Sequence, residues 1–143
     1  MGLDIYVVKR EYEHAFRAGS YSGFSLFRDV LAAEDNILLD EMYGYSGGKS
    51  WESVESALRP ILDHSDCDGD LYSHEVVDMI PRLEEIVMLW RSGYFAWEQN
   101  KKNKKLSDDE KNWYAGLAEK WLAVCRRIVK SEEEGINEHI AFC

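Results

Sequence analysis

The stretch HSDCDGDLYSHE, in the middle of the chain, spaces its carboxylates like a loop that wraps a cation. A calcium-binding EF-hand loop takes ligands at its positions 1, 3, 5, 7, 9 and 12 and has glycine at position 6. With Gly69 at that glycine, the other matching positions hold His64, Asp66, Asp68, Asp70 and Glu75. The spacing therefore predicts an EF-hand-like loop with a divalent-cation site.

Two residues of this loop depart from the calcium pattern. His64 stands at position 1, and imidazole is a poor ligand for hard Ca²⁺. Tyr72 at position 9 cannot replace a carboxylate. A softer ion, Mn²⁺ or Zn²⁺, suits His64 and Asp66 better, although the spacing matches no standard zinc pattern. The alternative is a turn whose aspartates bond to their own backbone and need no metal.

An enzymatic interpretation of the same stretch is a small metal-assisted hydrolase that uses His64 and Asp66. DCDGDL also resembles the start of haloacid-dehalogenase-type phosphatases, but that motif follows a buried strand, and ALRPILDHS is typical of a helix end. GYSGGKS is one residue short of a phosphate-binding P-loop. Because no set of nucleophile, base and orienting group is evident, the sequence favours a non-enzymatic protein.

A second polar turn, GSYSGF, precedes a predicted helix. Ser20 and Ser22 could meet the phosphates of a ligand at the helix N-terminus, and Tyr21 could stack on a base. Arg28, one turn into the helix, could face an anion. These residues predict a site for a small anionic, nucleotide-like ligand.

The elements that position these turns follow from periodicity and capping residues. GLDIYVVK at the start and NEHIAFC at the end predict two strands that pair. Capping serines predict helices that begin after Ser22, Ser50 and Ser73, and Ser107 with Glu110 forms a capping box for a long helix. The helix after Ser50 is expected to reach about residue 62, and the helix after Ser73 to continue to residue 97, with Pro81 kinking or restarting it.

The sequence thus predicts a mainly α (α+β) fold and one domain over residues 1–143. Its parts are an EF-hand-like helix-loop-helix, a long antiparallel helix pair and a small two-stranded terminal sheet. The helix predicted after Ser73 ends in an aromatic run. This run predicts a homodimer surface made by Trp90, Tyr94, Phe95 and Trp97.

The composition limits the classes of partner that the protein is expected to bind. The 143 residues include 27 acidic and 17 basic ones, and the net charge of −10 disfavours nucleic acid and anionic membranes. We find no apolar run long enough to span a bilayer. The odd count of 3 cysteines and the lack of a signal peptide predict a reducing, cytoplasmic setting.

Three strings, MGLD, GSYSGF and HSDCDGDL, resemble a group of short proteins from bacteriophages and prophages. Members often end in a brief apolar segment with phenylalanine, as IAFC does here. The resemblance covers the first third and the middle of the chain. Together with the acidity and the lack of a catalytic set, the resemblance leads to the hypothesis of a non-enzymatic accessory protein that binds a host protein or a small anionic ligand, in counter-defence. It also implies that the two polar turns form one site or one structural joint, with His64 as a regular part of it.

Overall fold

The structure is a computed structural model that describes residues 2–143. The described chain begins with two strands and ends with one, and 3₁₀ turns occur at Leu39–Glu41, Trp51–Ser53 and Ala96–Gln99. The elements are β1 Gly2–Val8, β2 Tyr12–Ser20, α1 Tyr21–Ala33, α2 Arg59–Leu62, β3 Asp70–Leu71, α3 Ser73–Val76, α4 Met79–Arg91, α5 Asp108–Glu133 and β4 His139–Phe142. The predicted mainly helical α+β class is confirmed.

A four-stranded antiparallel sheet in the order β2-β1-β4-β3 joins the two ends of the chain. The predicted pairing of the terminal strands is present, with Ile5 opposite Phe142. The sheet is larger than predicted because β2 and β3 add to it. In β2 only Phe16 and Ala18 are buried, so its sequence lacks the apolar alternation that identifies a strand.

Helix α1 begins two residues earlier than the sequence indicated. Ser20, and not Ser22, is the N-cap, because its Oγ accepts the Gly23 amide at 3.0 Å. Gly19, with φ +105°, lets the chain turn from β2 directly into the helix. The junction between β2 and α1 therefore lies within the polar turn GSYSGF.

The helix predicted after Ser50 is broken into a 3₁₀ turn, Trp51–Ser53, and the short α2. Pro60 explains the break. A proline inside a continuous helix would lose a hydrogen bond and clash with the preceding turn, whereas in the first turn of a new helix it costs nothing. Pro60 lies in that first turn of α2.

The region after Ser73 divides in the same way into α3 and α4, and the predicted restart around Pro81 is confirmed. Pro81 lies in the first turn of α4, where backbone amides have no helical partner. Helix α4 ends at Arg91, and Gly93, with φ +92°, closes it. Trp90 and Phe95 then stack on each other in the core, 4.8 Å between ring centroids, so the aromatic run forms no continuous outer surface.

Helices α4 and α5 form the predicted antiparallel pair. Arg91 at the end of α4 pairs with Glu119 in the first half of α5, while Glu84 pairs with Arg126 near the far end at 3.4 Å. The Ser107–Glu110 capping box is confirmed, with the Glu110 amide 3.1 Å from Ser107 Oγ. Within residues 2–143 the structure contains no helix with the length and apolarity needed to cross a membrane.

Candidate functional site

The EF-hand-like stretch folds as a helix, a loop, a short strand and a second helix. Leu71, at the apolar position 8 of the loop, is buried and pairs with Ile140 of β4. The Phe142 amide donates to the Gly69 carbonyl at 2.9 Å. The loop is therefore fastened to the edge of the sheet, beside the last residues of the chain.

The His64 ring fills the interior of this loop. Its Nδ1 lies 2.8 Å from the Ser65 carbonyl oxygen and its Nε2 lies 3.1 Å from the Asp70 carbonyl oxygen. Both partners are carbonyl oxygens, so each ring nitrogen is engaged by an atom of the loop backbone. The ring also stacks on Phe142 with 3.8 Å between centroids. Gly69 is required beside it, since a Cβ there would lie 3.0 Å from His64 Cε1.

The acidic residues of the loop face different partners. Glu75 Oε1 accepts the Tyr72 amide at 3.0 Å, and the Asp70 carboxylate lies 3.4 Å from His139 Nε2. Among the residues that the structure describes, no group of three or more His, Cys, Asp or Glu is placed to hold a metal ion. The five predicted metal ligands do not converge, and this donor set does not fit a calcium cage. His64 already binds the Asp70 carbonyl that position 7 would offer.

Arg28 joins the two polar turns. It extends from α1 and is only 4% exposed. Its Nη1 donates to the His64 carbonyl at 2.7 Å and more weakly to the Ile61 carbonyl at 3.5 Å, at the C-terminal end of α2. The guanidinium lies over the Phe24 ring at 4.6 Å and the Tyr45 ring at 5.1 Å. The two turns thus meet through Arg28.

The positive charge of Arg28 is incompletely matched. Its Nε has no hydrogen-bond partner in the described part of the chain, and none of the ion pairs there involves Arg28. Burial lowers the pKa of Arg28, while the more distant Asp66 and Asp29 raise it. A buried guanidinium without a carboxylate partner is costly, and it binds a planar anion well because its N–H groups form a rigid fork.

A cavity of about 390 Å³ opens beside this guanidinium, and we name it the Arg28 cavity. It lies between α1, the loop that follows residue 42 and the loop that follows α2. Its walls are Ser25, Arg28, Tyr43, Gly44, Tyr45, Asp63, His64, Ser65 and Asp66.

Tyr43 and Tyr45 form one wall of the cavity, the tyrosine wall, and hydrogen bonds to neighbouring residues hold it in place. Trp51 Nε1 donates to the Tyr43 carbonyl at 2.9 Å, and the Tyr45 hydroxyl donates to the Leu62 carbonyl at 2.6 Å. Burial raises the pKa of Tyr45 to about 12, so its hydroxyl stays neutral. The Tyr43 side chain, in contrast, is 73% exposed. This wall therefore combines the Tyr45 ring, which is held by a hydrogen bond, with the exposed Tyr43 ring.

Two carboxylates face the same space. Asp63 lies 3.8 Å from Arg59 in an i,i+4 pair, and burial raises the pKa of Asp63. Asp66 is half-buried and influences Arg28 only at a distance. The cavity thus presents one guanidinium and two acidic groups.

The structure brings together only part of the predicted ligand site. Arg28, His64 and Asp66 line the Arg28 cavity. The remaining predicted residues, Ser20, Tyr21 and Ser22, lie at the start of α1 and do not line it. Ser20 Oγ is engaged by the Gly23 amide and lies 3.2 Å from Ser22 Oγ.

Sequence reasoning missed some members of the site. Ser25 lies one turn before Arg28 on α1, and this i,i+3 spacing was the signal that could have found it. Asp63 and Ser65 flank His64 directly, but only the folded loop shows that they face the same cavity.

Another cavity, of about 560 Å³, has Asp29, Asp40 and Trp97 in its wall. Burial and the nearby Asp40 raise the pKa of Asp29. None of the ligand or metal residues predicted from the sequence lines this cavity. The Arg28 cavity is therefore the candidate site.

No protein-family model, curated protein or solved structure matches the chain. The fold and the site define a mainly helical α+β protein in which α1, the loop after residue 42 and the loop after α2 enclose a cavity beside a buried arginine. The function has to be inferred from the chemistry of that cavity.

Proposed function

We propose that this protein is a non-enzymatic binding protein that captures a small anionic ligand in the Arg28 cavity. One observation carries the proposal: Arg28 is 4% exposed, and its Nε has no partner among residues 2–143. A carboxylate or phosphate in the cavity would supply the charge-assisted hydrogen bonds that the fold leaves unmade.

The aromatic wall favours a ligand with a flat part. Tyr43 presents an exposed ring at the mouth of the cavity, and Tyr45 lies deeper. Stacking of a nucleobase on an aromatic ring contributes about 1–3 kcal/mol. A nucleotide-like ligand could therefore place its anionic group on Arg28 and its base against Tyr43.

The contacts of the other polar side chains support binding over catalysis. Both nitrogens of His64 are engaged by carbonyl oxygens, so the ring has no free nitrogen to act as a general base. Cys67 is exposed, and its Sγ lies 3.5 Å from Ser65 Oγ. These groups maintain the loop, which is the expected task of side chains that shape a binding site.

The phage and prophage resemblance provides a biological setting for this proposal. An accessory protein that acts in counter-defence could withdraw a small anionic ligand from a host protein by binding it. It could also bind the host protein itself, which is the alternative partner. Ligand capture explains the buried guanidinium without a carboxylate partner, whereas a flat contact with a host protein at the surface would leave its charge unmatched.

Isothermal titration calorimetry with adenosine 5′-monophosphate, inorganic phosphate and acetate tests the proposal. We expect binding that Arg28→Met weakens at least tenfold, because the neutral side chain cannot bond to the anion. Because Arg28→Met removes a buried contact, the surface variant Tyr43→Ala provides a second test that does not depend on the core. Tyr43→Ala should weaken nucleotide binding severalfold, whereas Tyr94→Ala, at another exposed tyrosine, should leave it unchanged.

Two results would overturn the proposal. One is the absence of binding heat with all three probes. The other is a folded Arg28→Met protein, verified by circular dichroism, that binds as tightly as the original chain.

A further inference from the structure

The charges in the Arg28 cavity suggest a more specific ligand. Arg28 is the basic side chain in the wall, and Asp63 and Asp66 face the same space. His64 contributes its ring, but both ring nitrogens bond to carbonyl oxygens of the loop. A ligand that carried negative charge alone would meet Arg28 and also the carboxylate of Asp66, whereas the charge of Asp63 is balanced by Arg59.

Arg28 and Asp66 do not neutralise each other. No ion pair within the described residues joins Arg28 to a carboxylate, although Asp66 is close enough to raise the pKa of Arg28. The His64 carbonyl and the rings of Phe24 and Tyr45 hold the guanidinium in place. Asp66 belongs to the loop after α2, which the sheet anchors further along. Two opposite charges that form no ion pair with each other therefore line one cavity.

Two opposite charges that line one cavity and do not pair with each other fit a molecule that carries the complementary pair. An anionic group would bond to the Arg28 guanidinium, and a cationic group would bond to Asp66. An ammonium group would also be attracted to the faces of Tyr43 and Tyr45. Both charges of the cavity would then be satisfied at once.

We infer that the ligand is a zwitterion of the amino-acid class, with a carboxylate on Arg28 and an ammonium group at Asp66. This inference rests on the proposed function, because it specifies the ligand of the same cavity. It adds a role for Asp66, which an anion-binding site does not need.

Calorimetry with ω-amino acids from glycine to 6-aminohexanoate measures the charge separation that the cavity accepts. Butyrate and butylamine are the matched controls, since each carries one of the two charges. We expect at least one member of the series to bind ten times more tightly than butyrate or butylamine. Affinity should pass through a maximum as the chain lengthens, because Arg28 and Asp66 lie in the wall of one cavity of limited size.

The variant Asp66→Asn keeps the shape of the side chain and removes its charge. It should bring the affinity of the best amino acid down to that of butyrate, while butyrate binding stays equal or becomes tighter. Asp68→Asn is the matched control, because Asp68 belongs to the same loop and does not line the cavity. It should leave both affinities unchanged.

The outcomes separate this inference from the function on which it rests. If butyrate, phosphate or adenosine 5′-monophosphate binds in an Arg28-dependent way and no amino acid binds more tightly, the zwitterion is excluded and anion capture stands. An amino acid that binds equally well to the Asp66→Asn protein would also exclude it. If none of the probes binds, both proposals are wrong.

Discussion

The ring of His64 lies flat against the ring of Phe142, with 3.8 Å between centroids and 21° between planes. This contact joins the mid-chain loop to the terminal strand, which are far apart in sequence. The His64 carbonyl accepts a hydrogen bond from Arg28, and its two ring nitrogens form hydrogen bonds with two other carbonyl oxygens. His64 therefore organises the loop from within, in the place where an EF-hand would hold a cation.

Replacing His64 with alanine should destabilise the protein by about 2–4 kcal/mol, through loss of the stacked ring and of two hydrogen bonds. Urea unfolding followed by tryptophan fluorescence measures the change. His74→Ala is the control, because His74 is exposed and follows the same loop. It should change the stability by less than about 0.5 kcal/mol. Equal stability of the two variants would contradict the organising role of His64.

The loop that carries Tyr43 and Tyr45 contains two adjacent glycines, Gly47 and Gly48, and the structure predicts different effects of replacing them. A Cβ on Gly47 would lie 2.1 Å from the Glu41 carbonyl carbon, whereas a Cβ on Gly48 would meet no atom of the described chain within 4 Å. Gly47→Ala should therefore cost about 1–3 kcal/mol, as overpacking does, and disturb ligand binding at Tyr43. Gly48→Ala should do neither. The midpoints of urea unfolding compare them, and a fully stable Gly47→Ala protein would refute the tight approach.

Some local signals in the sequence predicted local features correctly, whereas Ser22 and Ser73 are not the N-caps that were expected. The Ser107–Glu110 capping box and the restart near Pro81 depend on residues within one or two helical turns. The pairing of the termini followed from two apolar segments that need a partner strand. Strand β2 could not be predicted because most of its side chains face solvent, and the backbone pairing that defines it leaves no apolar pattern.

The candidate site was only partly predictable for a different reason. His64 and Asp66 were selected from their types and their place in the mid-chain turn, and Arg28 from its place one turn into the helix after GSYSGF. What makes Arg28 unusual is its contact with the His64 carbonyl, across 36 residues of chain, and its burial between two rings. Contacts between residues so far apart in the chain leave no motif or periodic pattern in the sequence. The serines of the first turn looked like ligands because a helix-capping serine and a phosphate-binding serine occur in the same pattern.

Glu138 gives a pH dependence with a definite sign. Two hydrogen bonds from Arg127 are the main cause that holds the pKa of the Glu138 carboxyl below its usual value. Because the unfolded chain takes up the proton first as the pH falls, this pair stabilises the fold above the ordinary glutamate pKa of about 4.3. The stabilisation is lost as the pH falls through the lower, folded-state pKa.

Thermal unfolding between about pH 7 and pH 3 tests this linkage. Arg127→Met should lower Tm at neutral pH and have a smaller effect at acidic pH, where Glu138 is protonated in both states. Arg126→Met, which removes a neighbouring exposed ion pair with Glu84, is the control and should have little effect at either pH. A loss of Tm at Arg127→Met that is constant over the whole range would contradict the assignment.

Divalent-cation binding is the alternative function, and the loop contacts predict its outcome. Ca²⁺ at the EF-hand positions would require the Glu75 carboxylate to leave the Tyr72 amide and the His64 ring to leave the Asp70 carbonyl. Calorimetry and thermal shift with Ca²⁺, Mn²⁺ and Zn²⁺ should therefore show no saturable binding at the loop. Glu75→Gln makes the test specific, because its amide oxygen can still accept the Tyr72 amide but is a weak metal ligand. Binding heat in the original chain that disappears in Glu75→Gln would show that the loop rearranges around a cation, and the function would then be metal binding.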